Sequence, residues 1–492
     1  MQEINHSANP FPGLRPFESS ETHLFFGRDG QSEELLRRLK RTRFLAVVGT
    51  SGSGKSSLVR AGLLPALQGG LMASAGSDWR IAILRPGDDP IGNLANALVS
   101  PLVLGSREDE RSAEDMQAVL AETTLRRSSL GLVEMVSRAR TKLYKDKEPL
   151  LRDYENLLVV VDQFEELFRF KELIEEENSQ EDAAAFVKLL LEAVRQSDEK
   201  IYVVLTMRSD FLGDCSQFWE LPEAINNGQY LIPRMTRDER REAITGPVAV
   251  AEGAISDPLV NQLLNDVGDN PDQLPILQHA LMRTWDHWTS HHLNGEPIDI
   301  PDYVAIGGMS RALSRHADEA YEELNDEQKV SAEKLFKGLT EKGADNREIR
   351  RPMEVRKICE LTGASEEEVI AVVEVFRRKG RSFLMPPPAD ALSGARIPLT
   401  KESLIDISHE SLIRNWERLK TWVEEESRSA RIYSRLAETA VLHKEGKAGL
   451  WRDPDLQIAL NWRKQSEPNQ SWARRYHPEF ALAMKFLDES VE

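Results

Sequence analysis

The clearest chemistry in the sequence lies in one short run, Gly49-Thr50-Ser51-Gly52-Ser53-Gly54-Lys55-Ser56, followed by Ser57. Glycines at the first and sixth positions, with lysine and serine directly after, let backbone N–H groups wrap phosphate oxygens. Lys55 would reach the β and γ phosphates, and the Ser56 hydroxyl could ligate Mg²⁺. This pattern requires a buried strand before it and a helix after it, whose N-terminus adds a positive field. Phe44 to Val48 reads as the strand, and a helix follows from Ser57-Leu58.

A second run, Leu157-Leu-Val-Val-Val-Asp162-Gln163-Phe164-Glu165-Glu166, places a carboxylate at the end of an aliphatic strand. Standing alone, such an acid is more often a helix cap. Beside a phosphate loop, Asp162 is placed to hold Mg²⁺, usually through water. Either Glu165 or Glu166 could then polarise the attacking water, and Glu165, the first carboxylate clear of the strand, is favoured. In a third run, Ile201 to Phe211, Arg208 ends another strand. It would point into the same crevice and read the γ-phosphate by charge-assisted hydrogen bonds, or else pair locally with Asp210 or Asp214. An internal arginine would make a finger from another chain unnecessary.

The elements that must position these residues alternate. Strand-like runs at Arg80–Leu84, Leu157–Val161 and Ile201–Thr206 are separated by helical stretches such as Ala183–Arg195, which predicts a parallel α/β sheet with helices on both faces. Residues 1–30 form an extended arm without helix, and residues 31–235 the phosphate-loop domain. Residues 236–300 read as a helical domain with helix-spaced leucines. Residues 301–415 add helices and then two strands, Ser382–Met385 and Leu404–Ser408, which suggests a winged helix. Residues 416–492 are a helical C-terminal segment, in which Phe480, Met484 and Leu487 make an apolar stripe with no obvious partner in the sequence. The stripe predicts that further protein follows or another chain docks.

With 492 residues the chain can bury several cores, and 81 acidic against 63 basic side chains, net −18, argue against a surface built for nucleic acid or anionic lipid. The aliphatic runs are far too short to cross a bilayer. Two cysteines, Cys215 and Cys359, cannot make a disulfide framework, so a reducing, cytoplasmic setting is expected. Other features have plain structural readings. The basic run Arg37–Arg43 suits a helix C-terminus. His287, His291 and His292 lack the glutamate and third ligand of a zinc site, and Cys215 reads as a packed thiol. The helix beginning Glu366-Glu367-Glu368 would repel DNA phosphates.

The motifs NPFPGLRPF, FFGRD, GTSGSGKSSLVRAGLLPAL, ILRPGDDP, VVVDQFEELF, LTMRSDFL, AITGPVAVAEG, LPILQHALMRTW, ISHESLIRNWERLKTWVEEE and LWRDPDLQIALNW occur in this order from about Asn9 to Glu492. Together they resemble the novel STAND NTPase 1 family, STAND standing for signal transduction ATPases with numerous domains. The resemblance implies a nucleotide-binding domain, a helical domain and a winged helix closing over ADP or ATP. It implies that Phe26, Gly27 and Arg28 form the adenine-side entry motif, that Pro275 packs on the base, and that His409 touches the β-phosphate of ADP. The Asp-Gln-Phe-Glu-Glu cluster departs from the paired acids of related groups, which leaves the catalytic glutamate open. The expectation is an ATP/ADP switch with slow hydrolysis that self-associates when ATP opens it, and whose sensor or effector lies outside this chain. The competing expectations are a turnover ATPase or phosphotransferase, or a scaffold that uses nucleotide structurally.

Overall fold

The computed structural model describes residues 9–100, 103–104, 111–143, 156–168, 177–268, 273–291, 296–342, 348–389 and 396–491. His292 and the start of the N-terminal arm lie outside these residues. The chain divides into two compact units. The first runs from Pro16 to Leu274, together with the residues before Phe11. The second runs from Pro275 onward and takes in Phe11–Arg15.

Five strands build the first unit: β1 (Phe44–Gly49), β2 (Trp79–Leu84), β3 (Asn156–Val161), β4 (Ile201–Arg208) and β5 (Gln229–Leu231). All pair in parallel, in the spatial order β2-β3-β4-β1-β5. Every residue of β1 and β3 is buried, the consequence of a sheet covered on both faces, and this is why these strands read as unbroken aliphatic runs. The two faces alternate along each strand. Ala46, Val48 and Val159 join one core with the helices Pro90–Val99 and Glu177–Arg195. Leu45, Val47, Leu158 and Val160 join the other, with the helix Gln31–Thr42 and the helical stretch after the phosphate loop. Leu35 and Leu39, one turn apart, are fully buried in that second core, each worth about 1.5–3 kcal/mol of burial.

Three features of this unit depart from the sequence reading. The short edge strand β5 was not anticipated. The arm is not wholly extended, because Ser19–Leu24 forms a 3₁₀ helix whose entry is fixed by the Glu21 carboxylate accepting from the Glu18 N–H at 2.9 Å. The stretch after the phosphate loop is helical but irregular, an α-turn at Lys55–Ser57 passing into a π-helix at Leu58–Leu63.

The second unit is mainly helical. Helices Gly308–Glu322, Asp326–Gly338, Val355–Thr362 and Glu366–Arg377 surround an aromatic cluster in which Phe336 meets Phe376 edge-on at 4.8 Å and Trp416 at 5.0 Å. A small antiparallel sheet has β10 (Leu404–Ile407) between β8 (Met353–Glu354) and β9 (Leu384–Met385). Strands β6 (Thr340–Lys342) and β7 (Glu348–Arg350) form a separate two-stranded pair. The sequence showed β9 and β10 but not β6, β7 or β8, which are two or three residues long and carry no run for periodicity to detect. The helix Glu417–Lys444 and the helices Asp455–Ser466 and Phe480–Val491 share a core of Tyr433, Leu436, Trp462, Phe486 and Leu487. The stripe at Phe480, Met484 and Leu487 therefore finds a partner within the chain, with Leu487 buried and Phe480 and Met484 half-buried against this core. Among the described residues no helix is long and apolar enough to cross a membrane.

Candidate nucleotide site

β1 delivers the phosphate loop at its C-terminal end, where parallel strands leave a crevice. Gly52 and Gly54 have φ of +72° and +89°, a region that L side chains avoid. A Cβ on Gly49 would lie 2.7 Å from the Ser53 hydroxyl oxygen. Ser51 and Ser53 are buried, and the Ser53 hydroxyl donates to the Thr50 carbonyl at 2.9 Å, which closes the loop on itself. Lys55 turns its ammonium back onto the Gly49 and Thr50 carbonyls, at 3.0 and 2.7 Å.

Asp162 stands one residue beyond β3 and is buried. One carboxylate oxygen accepts from the Ser56 hydroxyl at 2.7 Å and from the Thr206 hydroxyl at 2.6 Å. The other accepts from Arg60 at 3.3 Å. Burial alone would push this carboxyl up, but Arg60 and Arg85 together with the two hydroxyl donors hold it below the usual carboxylate range. The result is an ionised oxygen ligand beside a serine hydroxyl, a donor set that suits a hard divalent cation.

The two glutamates part company. Glu165 accepts from the backbone N–H of Arg208 at 3.3 Å, and Arg208 is in register with Gly49 of β1. Glu166 accepts from the N–H of Gly87, on the β2 side of the sheet, at 3.1 Å. Gln163, between Asp162 and the glutamates, has φ of +60° and donates its N–H to the Thr206 hydroxyl at 3.0 Å. A non-glycine residue in this conformation at a strand end stores backbone strain. The Arg208 side chain forms an ion pair with Asp210, the local alternative left open by the sequence, and lies over the Phe211 ring.

Next to the loop is a cavity of about 390 Å³, within the size range of small-molecule sites. Its lining mixes residues of the phosphate loop, Gly49, Thr50 and Ser53, and the cations Arg28, Arg234 and Arg240 with the apolar Ile232, Met235, Val267 and Leu274. Arg28 is held there by the Ser53 and Pro233 carbonyls at 2.8 and 2.9 Å. Gly27 and Phe26 do different work, seating the arm on the helix Arg237–Val250. A Cβ on Gly27, where φ is +78°, would fall 2.2 Å from the Glu239 carbonyl, and the Phe26 ring packs flat on Gly246. Pro275 is the second residue of the helix Leu274–His291, next in the chain to Leu274. In the second unit, His409 caps the helix Glu410–Asn415, its Nδ1 accepting from the Ser411 N–H at 3.1 Å.

The sequence reading did not single out Thr206, Arg60 or Glu18. Thr206 carried a signal, as the one small hydroxyl residue in the strand Ile201–Arg208. Ser57 was grouped with the phosphate loop, yet its hydroxyl accepts from the N–H of Phe17 in the arm at 3.2 Å. Elsewhere, Arg41 and Arg43 of the basic run donate to the Asn227 and Gln196 carbonyls at 2.8 Å each. Cys215 is a buried thiol pushed up to about 12 by burial, and His287 pairs with the buried Asp302 at 2.9 Å.

The sequence model of the novel STAND NTPase 1 family matches residues 10–448, most of the chain. The chain belongs to that family. No curated protein matches this family member. Among solved structures it is similar to the Aeropyrum pernix ORC2 protein in its ADPNP–ADP complexes, at 11% identity over 81% of this chain and 94% of that one, with a TM-score of 0.40. The ORC1 protein of the same organism, solved with DNA, gives 12% identity over 83% and 94%, with a TM-score of 0.39. A Walker-type ATPase of Pyrococcus abyssi gives 13% over 82% and 98%, with a TM-score of 0.37. Likenesses of this size carry no weight for the function of this STAND NTPase.

Proposed function

We propose that this chain is an ATP/ADP-controlled molecular switch of intracellular signalling or defence that hydrolyses ATP slowly in the cavity of its first unit. The observation that carries the proposal is the convergence of Ser56, Thr206 and an ionised Asp162 at the mouth of a glycine-rich phosphate loop, beside a cavity lined by loop residues, arginines and apolar side chains. Lys55 would exchange the carbonyls of its own loop for phosphate oxygens. Ser56 and Asp162 would hold Mg²⁺, which when bound neutralises charge on the transferring phosphate. Glu165 is the better candidate to polarise water, because it is anchored beside β1, whereas Glu166 is anchored towards β2. Arg208 would have to leave Asp210 to read a γ-phosphate.

The finer reading concerns the second unit. Its helices and the three-stranded sheet around β10 support a winged helix. In this reading Pro275 would pack on the base and His409 would touch the β-phosphate of ADP. ADP would hold the domains closed, and ATP would open them and promote self-association with a sensor or effector outside this chain. Steady-state turnover with Mg²⁺ and ATP tests the class. A switch predicts bound nucleotide with turnover well below one per second. Turnover of tens per second would identify a metabolic ATPase or phosphotransferase, and absence of binding a scaffold.

A further inference from the structure

We propose that Arg60 and Glu18 form a positioning relay through which the N-terminal arm responds to a divalent cation at Asp162. The proposal rests on the reading of Ser56 and Asp162 as a metal–nucleotide site. Arg60 lies in the π-helix that directly follows the phosphate loop, a helix form that is rare and often found at functional positions. Its guanidinium forks between two carboxylates, with Nη2 3.3 Å from Asp162 and Nη1 2.7 Å from Glu18. The same turn is where the arm is fastened. The Ser19 hydroxyl donates to the Arg60 carbonyl at 2.9 Å and the Thr22 hydroxyl to the Ala61 carbonyl at 3.0 Å, while Phe17 donates its N–H to Ser57 at 3.2 Å. The arm thus supplies donors along the stretch where the i→i+5 pattern departs from the ordinary helical ladder.

The arm is divided between the two units. Pro16 belongs to the first unit, but Phe11–Arg15 belong to the second, where Leu14 is buried in the core and Gly13 backs onto Met282. The chain therefore changes unit only a few residues before Glu18. Nothing else in the reading of the phosphate loop requires an arginine at position 60 or an acid at position 18.

The electrostatics give the relay a direction. Arg60 and a divalent cation compete for the same carboxylate of Asp162. When the cation is bound, the guanidinium keeps one strong anionic partner, Glu18, and the arm is held more firmly. When the cation leaves, Arg60 divides between the two carboxylates and the arm loosens. By linkage, a firmly held arm must in turn favour the cation.

Two substitutions should therefore move the cation's affinity in opposite directions, which an ordinary packing role would not do. In the full chain, a fluorescent ADP is titrated with Mg²⁺ at fixed nucleotide. Arg60→Met, which removes the competitor, should raise the apparent Mg²⁺ affinity several-fold. Glu18→Gln, which takes away the alternative partner of Arg60, should lower it several-fold. Amide exchange over residues 17–25 should slow when Mg²⁺ joins ADP in the parent, and this response should vanish in Glu18→Gln although ADP still binds. Shifts of the same sign, or no shift in Glu18→Gln while ADP binds as in the parent, would overturn the relay and leave the nucleotide site standing. Failure of the parent to bind ADP would overturn both. Glu18→Gln decides the question by itself if Arg60→Met fails to fold.

Discussion

The two units use buried charge in opposite ways. Around Asp162, charged and hydroxyl groups converge at the open end of a sheet beside a cavity, and Lys55, Arg60 and Arg208 hold partners that a ligand could displace. In the second unit the buried charges are closed off. Arg350 donates to Asp406 at 2.7 Å, to the Ile407 carbonyl at 2.9 Å and to Glu410 at 3.1 Å, which ties β7 to β10 and to the helix capped by His409. The fully buried Arg377 is bound by Glu374 and by the carbonyls of Pro386, Pro387 and Ile397. His279 and His316 face each other at 3.0 Å against Phe383. Burial of a charge therefore does not by itself mark a site. What the Asp162 region offers is an adjoining cavity and partners that a ligand could exchange.

The largest effect that would break this contrast is expected in the second unit. Arg350→Ala should destabilise it by about 3–5 kcal/mol, because Asp406 and Glu410 each lose a buried ionic partner. The melting transition of that unit should fall while nucleotide binding by the first persists. A small effect would mean these groups are as exchangeable as those at Asp162.

Acid should act on the second unit next. Burial, with help from Arg283, pushes His279 down to about 3, and burial with His279, Arg283 and Arg381 drives His316 down as well. A histidine whose folded pKa is depressed favours the neutral form. Its stabilisation is complete above the unfolded value near 6.5 and is lost as pH falls from there towards the folded value, at ~1.4 kcal/mol per pH unit for each such group. Denaturant titrations between pH 7 and 5 should show this slope, and His279→Phe should flatten it.

Lys55→Ala should weaken ATP and ADP binding about tenfold, or 1.4 kcal/mol, without lowering the melting temperature, because its present partners are carbonyls of its own loop. Calorimetry giving equal affinities would contradict the placement of phosphate there. The smallest effect is at His409. Loss of its cap should cost ~1 kcal/mol whichever nucleotide is present, whereas a contact with ADP adds a selective fall in the ADP-to-ATP affinity ratio. A changed melting temperature with an unchanged ratio would leave His409 as a cap alone.

The parts legible in the sequence were those fixed by local pattern. The aliphatic runs of β1, β3 and β4 and the glycine spacing before Lys55 report burial and backbone conformation directly, so the sheet and its loop could be read. Asp162 was legible because it ends such a run. The relay from Asp162 to Glu18 was not, since it joins residues of the arm, the post-loop helix and β3 that are distant in sequence, and an arginine in a helix has many ordinary uses. Thr206 lay in plain view, but its partner is fixed only by the pairing of β3 with β4. The irregularity at Leu58–Leu63 has no composition of its own, and the stripe at Leu487 found a partner only once the long helix Glu417–Lys444 was folded beside it.

The central claim is that the first unit holds an adenine nucleotide through Lys55, Ser56 and Asp162. The direct measurement is the nucleotide released on denaturing the purified chain, identified and counted against protein. The account predicts close to one ADP per chain for the parent and little or none for Lys55→Ala at unchanged secondary structure. A parent that releases no nucleotide and binds none when ADP and Mg²⁺ are added back would contradict it.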